Sequence, residues 1–93
     1  MAPLTFQGSA AEAVEKIQQI VDQQFSRAKL ITREPNYLHY EFTSLIFRFV
    51  DDVEFLVDDS TRQIHFRSAS RVGYSDLGAN RRRMTKFVQE FSR

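Results

Sequence analysis

The sequence predicts an α+β domain: a curved antiparallel sheet with two helices packed on one face, in the order β-α-β-β-β-β-α. Three observations carry this. Apolar residues recur at helical spacing in two segments near the ends of the chain. Between them, three consecutive segments alternate apolar and polar residues with a period of two, joined by short turns, which is the pattern of an antiparallel meander. One sheet face is therefore apolar, and the two helix stripes are the available cover for it.

Pro3 to Phe6 reads as a short edge strand, ended by Gly8. Ser9-Ala10-Ala11-Glu12 has the spacing of a capping box, in which the Ser hydroxyl accepts a free helix N–H and the Glu reaches back. Val14, Ile17, Ile20, Val21 and Phe25 follow at helical spacing, joined by Ala13, and predict an amphipathic helix over about 9–25. From Ala28 the period becomes two. Leu30 and Thr32 alternate with Lys29, Ile31 and Arg33 up to the turn Glu34-Pro35-Asn36. Leu38, Tyr40 and Phe42 alternate with Tyr37, His39, Glu41 and Thr43. Ser44 to Val50 is apolar apart from Arg48 and reads as a bent strand or a bulged approach, and Asp51-Asp52 as a capped bend. Val53, Phe55 and Val57 alternate with Asp52, Glu54 and Leu56 before the turn Asp58-Asp59-Ser60-Thr61. A four-residue loop at 59–62 would set Asp58 opposite Gln63, Val57 opposite Ile64 and Glu54 opposite Arg67. Ile64, Phe66 and Ser68 then alternate with His65, Arg67 and Ala69. Ser75 or Asp76 suits the N-cap of the last helix. That helix carries Leu77, Met84, Phe87, Val88 and Phe91 as its stripe. The element order is that of the TBP-like architecture, a likeness of fold that carries no function.

The 93 residues form one domain, 1–93, either free-standing or part of a longer protein. Nine Phe and three Tyr supply enough bulk for a single core. A net charge of +1, with carboxylates on the face that would dock, argues against nucleic acid. With no Cys there is no disulfide, thiolate nucleophile or cysteine-bound metal. No stretch reaches the ~18 apolar residues of a membrane span, and the N-terminus lacks the pattern of a signal peptide.

The polar sheet face should carry His39, Glu41, Asp52, Glu54, His65, Arg67 and Arg71. Two readings stay open: a solvated face tied together by ion pairs, or a polar ligand site on a concave surface. His39 and His65 with Glu41 or Glu54 are metal-ligand types, but no ligand spacing is present, so neither metal nor cofactor is expected. Glu41 or Glu54 beside His39 or His65 could also serve as acid and base in an enzyme. Ser68 and Ser70 lack the setting of a serine nucleophile. The strand-to-helix junction gathers Ser70, Arg71, Ser75, Asp76, Asn80 and Arg81 near a helix start, where free N–H groups attract anions. Against a ligand there, Asp76 can satisfy those groups itself, and Arg71 can pair with Asp76 or Asp52. Arg81-Arg82-Arg83 are spaced about 100° apart on a helix and cannot share one face; one can lie over the sheet while the others are solvated.

Three segments resemble the domain of unknown function 1499 family: Tyr37-Leu38-His39-Tyr40-Glu41-Phe42-Thr43-Ser44, then Phe49-Val50-Asp51-Asp52-Val53-Glu54-Phe55, then Arg67-Ser68-Ala69-Ser70-Arg71-Val72-Gly73-Tyr74-Ser75-Asp76-Leu77-Gly78-Ala79-Asn80-Arg81-Arg82-Arg83. The likeness runs from about Leu4 to Phe91. It implies no activity, substrate or catalytic residue. It implies bacterial relatives that are often exported or membrane-anchored, plastid relatives in plants, and a pattern concentrated at Glu41, Asp52, Glu54, Arg67, Arg71, Ser75, Asp76, Asn80 and Arg81. The expectation is a non-enzymatic binding module for a small polar or anionic ligand or a protein partner. Its site would be Glu41, Glu54, Arg67, Ser70, Arg71, Ser75, Asp76, Asn80 and Arg81, with Glu54 orienting Arg67 and with Arg71 and Arg81 contacting the anion. The alternatives are the enzyme above and a structural interaction domain built on an ion-pair network.

Overall fold

The computed structural model describes residues 3–43, 49–71 and 77–93. Strand β1 (Leu4–Thr5) leads to helix α1 (Ala10–Gln24), strands β2 (Ala28–Glu34), β3 (Tyr37–Thr43), β4 (Val50–Asp58) and β5 (Gln63–Ser70), and helix α2 (Leu77–Phe91). Of the bent strand or bulged approach expected over 44–50, residues 44–48 lie outside the described residues, as do the expected caps Ser75 and Asp76; Val50 opens β4.

Local chemistry accounts for these elements. Ser9 caps α1: its Oγ accepts from Glu12 N at 3.1 Å, and Ser9 N donates back to Glu12 Oε1 at 3.2 Å, closing both halves of the box. Gly8 precedes it at φ +83°, a region that side chains avoid, and a Cβ there would lie 3.3 Å from the Glu12 carboxylate. The β4–β5 turn is tied by Asp58, whose Oδ1 accepts from Ser60 N at 3.0 Å and Ser60 Oγ at 2.7 Å.

The sheet order is β1-β5-β4-β3-β2, antiparallel throughout and open at both edges. The β4–β5 register sets Asp58 against Gln63, Val57 against Ile64 and Glu54 against Arg67, as the four-residue loop requires. Strand β2 departs from simple alternation. Leu30 pairs with Tyr40 but Thr32 pairs with His39, so one extra residue is accommodated at Ile31. The slip moves Thr32 to the face of His39 and leaves Leu30 and Ile31 exposed on the edge. A bulge of this kind also discourages pairing with a further strand.

Both helices cover the face bearing Leu38, Tyr40, Phe42, Val53, Phe55, Val57 and Ile64, all buried. Helix α1 contributes Val14, Ile17 and Val21; α2 contributes Met84, Phe87 and Phe91. The last residue of each helix is tied to a lysine of the other. Lys16 Nζ donates to the Phe91 carbonyl at 2.7 Å, and Lys86 Nζ donates to that of Gln24 at 3.2 Å.

Among the described residues, the Tyr40 hydroxyl is buried without a hydrogen-bond partner; it lies near Gln18, whose Oε1 is taken by Arg33 Nε at 2.6 Å. Burial pushes this phenol up to about 12. Tyr40→Phe removes an orphaned polar atom and keeps the ring, so it should raise stability by on the order of 1 kcal/mol in urea unfolding. A loss of stability instead would mean that the hydroxyl is satisfied in solution.

Candidate functional site

The face away from the helices is open. Pairing across β2 to β5 places Lys29, Glu41, Asp52 and Ala69 in one row, Thr32, His39, Glu54 and Arg67 in the next, and Glu34, Tyr37, Leu56 and His65 in a third. Two arrangements stand on it.

The first is a closed charge network. Arg71, just past the end of β5, reaches back over β4. Its Nε donates to Asp52 Oδ2 at 2.9 Å, its Nη2 donates to Asp52 Oδ1 at 2.8 Å, and Nη2 also donates to Glu41 Oε2. His39 Nε2 lies 2.8 Å from Asp52 Oδ1. Because an ionised carboxylate can only accept, Nε2 carries the proton in this contact. The Arg71 guanidinium, then the His39 ring, hold the Asp52 carboxyl down to about 2 against an ordinary 3.8. A depressed carboxyl favours the folded state while it is ionised. Its contribution should be complete above about pH 4 and fade as the pH falls through about 2. The urea midpoints of the wild type and Asp52→Asn should therefore differ at pH 6 and converge toward pH 2; a constant difference would show that the network carries no linkage.

The second arrangement is unclosed. Tyr37, Glu54, Leu56, His65, Phe66 and Arg67 line a shallow depression of about 200 Å³. The Tyr37 hydroxyl lies beside the Glu54 carboxylate; burial and that negative charge raise its pKa. Glu54 and Arg67 are directly opposite one another, yet no ion pair joins them, and Arg67 has no hydrogen bond or ion pair among the described residues. Leu56 is 49% exposed beside them.

A third cluster lies beneath the sheet. Asp51 and Asp52 are both in β4 rather than in a bend, and point to opposite faces. Asp51 shares the parity of Val53, Phe55 and Val57, and is buried with Asn80. Arg83, from α2, turns inward: Nη1 lies 3.0 Å from Asp51 Oδ2 and donates to Asn80 Oδ1 at 2.9 Å and Ser68 Oγ at 3.1 Å. Ser68 Oγ donates to Asn80 Oδ1, and the guanidinium stacks 4.7 Å from the Phe42 ring centre. This cluster anchors the first turns of α2 to the sheet.

The nine expected site residues do not share one surface. Glu41, Glu54, Arg67 and Arg71 lie on the open face. Ser70 pairs with Asp51 on the helix side, and Asn80 belongs to the Arg83 cluster. Arg81 is exposed along α2 with Arg82 and Lys86. Ser75 and Asp76 fall outside the described residues. His39 and His65 stand on β3 and β5, with β4 between them. Tyr37 and Leu56 escaped the sequence reading as site residues, although their alternation with Leu38 and Val57 assigns them to the open face. Asp51 and Arg83 escaped it as well; parity in β4 and the four-residue spacing from Arg83 to Phe87 were the available signals. Among the described residues no group of three His, Asp or Glu gathers as for a metal ion, and no helix is long and apolar enough to cross a membrane.

Fold and surface together define an α+β domain with one helix-covered sheet face and one open, charged face. Residues 1–91 match the family model described as protein of unknown function, DUF1499, and the chain belongs to that family. Comparisons with curated proteins and with solved structures find no match.

Proposed function

We propose that this domain is a non-enzymatic binding module that takes a small polar ligand with an anionic group on its open sheet face, at Arg67. The observation that carries this is the contrast between the two arginines of that face. Arg71 is paired with Asp52 and Glu41, whereas Arg67 makes no hydrogen bond or ion pair among the described residues and borders a depression. An arginine fork is suited to carboxylate or phosphate. The network of Arg71, Asp52, Glu41 and His39 then serves as a frame holding the end of β5 across β4.

Isotope-labelled protein titrated with 4-methylpentanoate and with inorganic phosphate provides the test. Backbone shifts should gather at residues 54–56 and 65–67 and vanish in Arg67→Ala. Because Arg67 is exposed, that variant should keep its urea midpoint within about 0.5 kcal/mol of wild type. Shifts confined to Arg81, Arg82 and Lys86, or none at all, would sink the proposal.

A further inference from the structure

We infer that the ligand of this depression is a zwitterion of the α-amino-acid type with a small aliphatic side chain, an inference that rests on the binding reading above. Its basis is a pair of opposite charges that face each other and remain apart. Glu54 and Arg67 are partners across β4 and β5, a position where oppositely charged side chains ordinarily engage. Here Glu54 lies instead against the Tyr37 hydroxyl, and Arg67 is exposed. The depression therefore presents an acceptor and a forked donor side by side. A ligand with only an anionic group would satisfy Arg67 and leave Glu54 facing it at close range. A zwitterion satisfies both: its carboxylate takes the guanidinium and its ammonium donates to Glu54.

The rest of the lining selects the remainder of the molecule. Leu56 follows Glu54 by two residues on the same face and is half exposed. It offers a short aliphatic group an apolar surface to lie against. The volume of about 200 Å³ falls below the roughly 300–1,000 Å³ of pockets for drug-sized ligands. That excludes a nucleotide or a long peptide from being enclosed and suits a free amino acid.

The experiment compares leucine with its two halves, 4-methylpentanoate (no ammonium) and 3-methylbutylamine (no carboxylate), by the same shift titration. Leucine should bind at least about tenfold more tightly than either half. In Glu54→Gln its advantage over 4-methylpentanoate should disappear, while 4-methylpentanoate, no longer facing a carboxylate, binds at least as tightly as before. Equal affinity of leucine and 4-methylpentanoate in the wild type overturns the zwitterion and leaves the anion-binding reading standing. Tightest binding by 3-methylbutylamine overturns both, as does the absence of shifts from all three.

Discussion

Truncating Phe87 to Ala should cost about 3–5 kcal/mol, the largest loss of any single core change considered. Phe87 is fully buried where α2 meets the sheet. Its ring centre lies 4.8 Å from that of Phe55, 6.0 Å from Phe91 and 6.5 Å from Phe66. Removing it opens a cavity lined by three other rings, which collapse poorly because each is held by its own backbone. A domain of this size has roughly 5–15 kcal/mol in total. The melting temperature should accordingly fall by on the order of 20 °C. Leu56→Ala on the open face supplies the contrast, with an expected change within about 0.5 kcal/mol. A small effect at Phe87 would mean that α2 does not seat on the sheet through this ring.

Asp51→Ala is the second. It should cost about 3 kcal/mol, because it leaves the Arg83 guanidinium largely buried with its counter-charge gone. Both side chains are mostly covered, at 15% exposure for Arg83 and 12% for Asp51. The Ser68 hydroxyl and the Asn80 carbonyl remain as acceptors but carry no charge. A double-mutant cycle decides whether the pair itself is responsible. Arg83→Met should also destabilise, since it strands the Asp51 carboxylate, while the double variant should lose less than the two singles added. Strict additivity would show that Asp51 and Arg83 act separately. An ion pair of this type fixes geometry more than it adds net stability, which fits its place at the first turns of α2.

These two sites differ in how far the sequence announced them. Phe87 was legible, since Met84, Phe87 and Phe91 recur at helical spacing and a helix stripe beside an apolar sheet face has one place to go. The capping box at Ser9 and Glu12 was legible for the same kind of reason: its partners are three residues apart, and local geometry alone brings them together. The pairing of Glu54 with Arg67 followed from a turn of known length. The Asp51 and Arg83 pair was not legible. Its partners are far apart in the chain, and their contact depends on how α2 rotates about its axis as it lands on β4 and β5. The bulge at Ile31 was hidden too, because an edge strand with little buried surface leaves no strict alternation to read.

For the candidate site, alternation along β3, β4 and β5 by itself determined which residues reach the open face, because successive strand side chains must point to opposite sides. The tertiary structure alone decided how those charges were shared out. Arg71, past the end of its strand, folds back onto Asp52 and Glu41, while Arg67, directly opposite a carboxylate, is left without an ion pair among the described residues. Register places backbones opposite one another, but the rotamers of long charged side chains depend on every neighbour within reach. For that reason the sequence could name the members of the face, and only the folded molecule could separate its closed network from its open pair.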